Sequence, residues 1–198
     1  MSEKEFKRSD NLLSLCGLNC SLCPMFIEKR CAGCREGSAC YLTCTIAPCS
    51  IEHGNIDYCF ECEEYPCDKY DGIELYDSLI THRNQKKDLQ KAKAIGIENY
   101  HKEQLEKKEI LNHLLNRYNI ANRHIFFCLA VNLLEVDDLK QILKDCDEST
   151  KDMDLKERSD YIKHELYEFA KKRNINQTNK KILIKNVLML FIMHVVIF

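Results

Sequence analysis

Apolar side chains recur at helical spacing through most of the chain beyond residue 72. Ile110, Leu114 and Tyr118 fall on one stripe with Leu111 and Leu115 beside it, which predicts a helix over 97–118. HIFFCLAVNLL, 124–134, is nearly all apolar, as a helix covered on every side would be. In the next segment Leu139, Ile142 and Leu143 share a face, and Asp137 or Asp138 is placed to cap it. Ile162, Leu166, Phe169 and Ala170 mark a helix over 155–173, and a weaker one is expected over 73–95, ending near Gly96. No run alternates with the two-residue period of a strand.

Before residue 72 the periodicity gives way to punctuation. Pro24, Pro48 and Pro66 each stand beside a cysteine, and five of the six glycines (Gly17, Gly33, Gly37, Gly54, Gly72) lie in or directly after the same stretch. Such a segment makes turns and short helices. The expected fold is mainly α: an irregular, turn-rich cysteine metal-binding module over 12–72, then a helical domain over 73–180. An apolar tail follows over 181–198. Lys185 and Asn186 interrupt it, and its apolar run falls short of the roughly 20 residues of a bilayer span. It is expected to pack on the helices or a partner, with weak membrane association as the alternative. No Ser-, Gly- or Pro-rich linker follows Cys67, so module and helices are expected to fold as one unit.

Composition changes the picture at one point. Eleven of the 13 cysteines lie between Cys16 and Cys67. The opening MSEKEFKRSD lacks the apolar core of a secretory signal, so the expected compartment is the reducing cytoplasm, where thiols bind metal instead of pairing. Residues 12–72 hold nine acidic and four basic side chains, a balance of −5 before any thiolate is counted. Nucleic-acid binding needs the opposite sign and is disfavoured; an unidentified protein partner is the expected one.

Cys20/Cys23, Cys31/Cys34 and Cys59/Cys62 have the spacing of zinc knuckles, in which a tight turn aims two sulfurs at one ion. The first two pairs make a complete four-thiolate set. Cys59, Cys62 and Cys67, completed by Cys49 or Cys44, make a second; Cys16, Cys40 and the remaining member of Cys44 and Cys49 are left for a third, partly open site or a cluster. Zinc ions (Zn2+) are the expected cofactor, with an Fe–S cluster as the alternative, since thiolates serve iron equally well. Cys16-x3-Cys20-x2-Cys23 also has the spacing of a radical S-adenosylmethionine loop, but no alternating strand–helix pattern follows. Pro24 is suited to the first position of a helix starting at Cys23, and Asp68 to the start of another after Cys67. His53 is a polar loop residue, with ligation the lesser reading. Cys128 is expected buried as a small hydrophobe and Cys146 exposed; the acids of ECEE are expected on a solvated face. No nucleophile–base set or phosphate loop can be argued from spacing, so the enzyme class is left open, with a non-catalytic role favoured.

With CGLNCSLCP, CAGC, CSIEHGNIDYCFECEEYPC and YNIANRHIFFCLAVNLL, residues 12–175 resemble the bacterial and archaeal cysteine-rich family known as domain of unknown function 3795. The resemblance implies a cytosolic protein with a metal site. It places Cys16, Cys20, Cys23, Cys31, Cys34, Cys40, Cys44, Cys49, Cys59, Cys62 and Cys67 at the family's cysteine positions. Cys40-x3-Cys44 is one residue longer than the family spacing, and His53 stands where lysine is common there.

Overall fold

The computed structural model describes residues 5–38 and 40–176. Among them there is no strand, and the class is mainly α with a turn-rich start. The helices are α1 (Pro24–Ile27), α2 (Ile46–Glu52), α3 (Gln85–Ile95), α4 (Ile97–Tyr118), α5 (Arg123–Leu133), α6 (Val136–Ser149) and α7 (Leu155–Lys172). Single tighter turns lie at Cys20–Leu22, Tyr41–Thr43, Cys59–Glu61, Asp68–Tyr70 and Ile73–Leu75. The tail over 181–198 lies outside the described residues, as do the expectations attached to it. No described helix is long and apolar enough to cross a membrane.

Three local expectations are corrected. The helix expected over 73–95 starts only at Gln85. Residues 77–83 instead wrap round the buried carboxylate of Asp77, which accepts from the Thr81 hydroxyl (2.9 Å), the His82 N–H (3.2 Å) and the Arg83 guanidinium (2.9 Å). Three donors on one carboxylate outcompete a helical backbone there. Helix α6 starts at Val136, so Asp137 and Asp138 fall in its first turn, where the helix dipole favours a negative charge, and do not cap it. Cys146 is buried, at 2 % exposure, because it continues the stripe Leu139, Ile142, Leu143 by one more turn.

The chain divides into two compact units, the boundary falling between Tyr100 and His101. Helix α3 therefore belongs with the cysteine-rich part. In the first unit Leu89 of α3 shares a core with Phe6, Leu15, Ile46, Ala47, Cys59 and Tyr70. Ala92 shares a second with Leu13, Tyr58 and Tyr100. The segment before the first cysteine is strapped down by Arg8. Its guanidinium lies over the Tyr58 ring (4.7 Å), donates to the Leu13 carbonyl (3.2 Å) and the Asp57 carbonyl, and pairs with Asp10 (3.5 Å).

In the second unit α5 buries every residue from Phe127 to Leu133, Cys128 among them, as its nearly unbroken apolar run predicts. The one amide in that run, Asn132, donates to the Cys128 carbonyl at 2.8 Å. Helix α7 is capped by Asp154, whose carboxylate accepts from the Glu157 N–H (2.9 Å) while Glu157 accepts from the Asp154 N–H (3.1 Å). Asp147 on α6 gathers three groups of α4: His113 (2.9 Å), Arg117 (2.9 Å) and the Tyr118 hydroxyl (2.6 Å).

Burial would raise the pKa of Asp147, but hydrogen bonds from Tyr118 and His113 and the charges of His113 and Arg117 outweigh it and hold the group below its usual 3.8. A depressed carboxylate contributes stability that is fully present above its unfolded value and lost as pH falls through the folded one. The urea midpoint of the second unit's helical signal is expected to fall on acidification below about pH 4. In Asp147→Asn that acid-dependent loss should be smaller and the midpoint at neutral pH lower. An acid limb of unchanged steepness would contradict this.

Candidate metal centre

Two of the three Cys-x-x-Cys pairs make the expected tight turn; among the described residues no such bond forms at Cys31/Cys34, and the Cys31 N–H donates to the Met25 carbonyl at 3.1 Å. At Cys20–Cys23 the Cys23 N–H donates to the Cys20 carbonyl at 3.0 Å, and Cys23 leaves the turn extended, at φ −82° and ψ 136°. Cys59–Cys62 repeats the geometry, with 3.1 Å for the same bond and φ −74°, ψ 136° at Cys62. Cys44 closes a third such turn on Tyr41 at 3.1 Å. The longer Cys40-x3-Cys44 spacing thus places Cys40 before the turn and only Cys44 at its exit. Pro24 opens α1 directly after Cys23, and Asp68 opens a single turn after Cys67, both as expected. Glu61 is not merely solvated: its carboxylate accepts from the N–H groups of Asp57 (2.9 Å) and Tyr58 (3.1 Å) and so closes the second knuckle.

Tertiary structure then sorts the cysteines. Cys20, Cys23, Cys31, Cys34 and Cys40 line one cavity of about 60 Å³, whose other walls include Leu18, Met25, Phe26, Leu79 and Ile80. The first four-cysteine set expected from spacing is thus gathered, with Cys40 added. Cys67 and Cys62 act electrostatically on Cys49, and Cys16, Cys67 and Cys49 on Cys59, so these thiols share one neighbourhood. Cys44 acts electrostatically on Cys16, Cys34 and Cys40, raising their proton affinity. Cys128 and Cys146 belong to the second unit and to neither set.

Burial is the first cause of the proton affinity of these thiols. It pushes Cys23 up to about 11 and Cys34, Cys40 and Cys59 up to about 12, and neighbouring thiols add to it at each. Hydrogen bonds act the other way. The N–H groups of Met25 and Phe26 face Cys23, that of Leu15 faces Cys34, and that of Ala47 donates to the Cys44 sulfur at 3.3 Å. From buried Cys23 to exposed Cys40, the thiols of the first group face one cavity, and Cys23 and Cys34 among them face backbone N–H groups. A soft divalent ion or an iron cluster suits that donor set, because it binds the deprotonated form and reverses the mutual repulsion. The fit is one of donor chemistry: among the described residues no three Cys, His, Asp or Glu side chains converge as ligands of one ion.

His53 ends α2 on the exposed surface. Its Nδ1 lies 2.9 Å from the Cys49 carbonyl and 3.4 Å from the Cys49 sulfur, and its Nε2 lies 3.5 Å from Glu64. The hydrogen bond to Cys49 and the pairing with Glu64 raise its pKa, the condition of a helix-end cation rather than of a neutral ligand.

Spacing did not reveal the residues that hold the first knuckle. The Gln85 amide donates to the Cys16 carbonyl (2.9 Å), the Asn19 amide donates to Asp88 (2.8 Å), and the Tyr100 hydroxyl donates to the Asn19 amide oxygen (2.9 Å). A signal for them was present. The buried stripe of α3 is Gln85, Asp88, Leu89, Ala92, and two of these four positions are polar where an ordinary core face would be apolar. At Gly17 α3 comes closest: φ is +94°, and a Cβ there would stand 2.5 Å from the Gln85 carbonyl oxygen and 2.6 Å from Leu89 Cγ.

Residues 12–72 match the family described as "Protein of unknown function (DUF3795)". The match covers the cysteine-rich module, a shorter span than the 12–175 of the resemblance. No curated protein and no solved structure matches the chain.

Gly17→Ala combines a backbone conformation unsuited to a side chain with a collision against α3. It is expected to destabilise the first unit by about 2–4 kcal/mol in denaturant titrations, the sum of left-handed strain and overpacking. Gly54→Ala, which meets nothing within 4 Å, should cost about 1 kcal/mol from strain alone. Equal effects at the two positions would refute the close approach of α3.

Proposed function

We propose, from the membership of residues 12–72 in the family of unknown function DUF3795, that this module is a thiolate metal-binding unit that serves as an interaction module in the cytoplasm. The observation that carries the reading is the gathering of Cys20, Cys23, Cys31, Cys34 and Cys40 round one apolar cavity. Zinc is the proposed ion, held by at least two thiolate sets: Cys20, Cys23, Cys31 and Cys34 in one, Cys49, Cys59, Cys62 and Cys67 in the other, with Cys16, Cys40 and Cys44 beside them. Bound there, zinc would cross-link the short turns that present the sulfurs. The proposed partner is a protein, since the module's charge balance of −5 opposes a phosphate backbone. Leu42 and Leu75, about 60 % exposed, offer apolar contact points on the same unit.

Metal analysis of protein purified without oxygen tests this directly. Two or more zinc ions per chain in a colourless solution are expected, with every cysteine from 16 to 67 protected from alkylation until a chelator is added. A brown protein with stoichiometric iron would replace zinc by an Fe–S cluster. A single fast-reacting cysteine in the loaded protein would favour thiol chemistry over a structural role.

A further inference from the structure

The cavity that gathers Cys20, Cys23, Cys31, Cys34 and Cys40 is not walled by the cysteine-rich segment alone. Leu79 and Ile80 line it too, and they come from beyond the last cysteine of the module. They are the middle of the loop 77–83. Ile80 is 7 % exposed and Leu79 half-buried, so both turn apolar surface inward. The loop also meets a thiol directly: the Cys23 sulfur donates to the Leu79 carbonyl at 3.8 Å.

One carboxylate holds the loop in this place. The Asp77 side chain, 2 % exposed, accepts from the Thr81 hydroxyl, the His82 N–H and the Arg83 guanidinium, all on the far side of Leu79 and Ile80. Residues 77 and 81–83 thus close a ring round the two apolar residues. Bonds inside the ring stiffen it: the Ser78 N–H donates to the Ile80 carbonyl at 3.1 Å, and the Ser78 hydroxyl lies 2.8 Å from His82 Nε2. The Gln85 N–H, donating to the His82 carbonyl at 3.1 Å, joins the ring to the start of α3. No helix runs through the loop itself. A segment of that kind opens at a lower free energy than the elements beside it, and here the opening is set by the bonds to Asp77.

We infer that residues 77–83 form a lid over the first thiol set, latched by Asp77, and that opening of this lid controls passage of ions and thiol reagents to Cys20, Cys23, Cys31 and Cys34. Control over ions rests on the metal reading proposed above; control over thiol reagents does not.

The test is N-ethylmaleimide labelling of the full chain as purified without oxygen, with each cysteine followed by peptide mass spectrometry. Asp77→Asn keeps the size of the side chain and removes the charge that Arg83 pairs with. It is expected to raise the labelling rates of Cys23 and Cys34 about tenfold, the effect of one lost charged hydrogen bond on the open population. Cys59 and Cys67 should keep their wild-type rates. Leu79→Ala trims the wall and leaves the Asp77 ring whole; it should speed the same two cysteines, and it decides where Asp77→Asn fails to fold. A rise shared equally by all four cysteines, or no rise in either variant, overturns the lid. Metal analysis of the same samples reports on the ion separately. Where zinc is present, part of it should pass to EDTA faster in both variants, and an unchanged transfer rate overturns control over ions. Protein without zinc overturns the metal reading, and the labelling pattern still decides the lid.

Discussion

Asn19 holds partners 69 and 81 residues away in the chain: Asp88, to which its amide nitrogen donates, and Tyr100, from which its amide oxygen accepts. Asp88 can only accept and the Tyr100 hydroxyl here donates, so the amide has one workable orientation. All three polar groups are buried, and loss of the Asn19 amide would cost about 1–3 kcal/mol. The turn Cys20–Leu22 begins at the next residue. The direction in which the first knuckle presents its sulfurs is therefore set by α3 and the start of α4, and only secondarily by the turn itself.

This arrangement alters how the module is held together. Short turns bury little of their own surface, but these lie on Leu13, Leu15, Leu22 and Leu89, all essentially inaccessible to water. Each such leucine contributes about 2 kcal/mol by burial. Cys59 and Phe6 of the N-terminal strap, which Arg8 fixes on Tyr58, belong to the same core, and Cys16, Cys34, Cys44 and Cys67 pack against it. The energetic case for metal is local: it concerns the mutual repulsion and enclosure of the sulfurs, not the existence of a core.

The sequence was most readable where a single period or spacing governs a segment. The run Phe127–Leu133, apolar but for Asn132, required burial and is buried, and the Cys-x-x-Cys spacing required a tight turn with an extended exit, which occurs at Cys20/Cys23 and Cys59/Cys62. Legibility failed where distant partners decide. The loop at 77–83 obeys Asp77, whose burial no local pattern announces, and α3 is correspondingly shortened. Cys146 was misread because its acidic neighbours suggested a surface, although its spacing from Ile142 and Leu143 already put it on the apolar stripe. Cysteine spacing proposed the two sets but could not choose between Cys44 and Cys49, since that choice depends on where α2 lies.

The turn that leaves α2 is built differently from every knuckle. Gly54 and Asn55 adopt successive left-handed conformations, and open space surrounds Gly54. The turn falls between Cys49 and Cys59, inside the second cysteine set, and no Cys-x-x-Cys pair spans it. Chain length can therefore vary at Gly54–Asn55 without disturbing the pairs on either side, at a closure cost that grows only logarithmically. At Gly17 no such latitude exists, because α3 closes over it. A reporter peptide or protease site spliced into the module has its natural address at Gly54–Asn55, where it would part Cys49 from Cys59, Cys62 and Cys67 along the chain while leaving each knuckle whole.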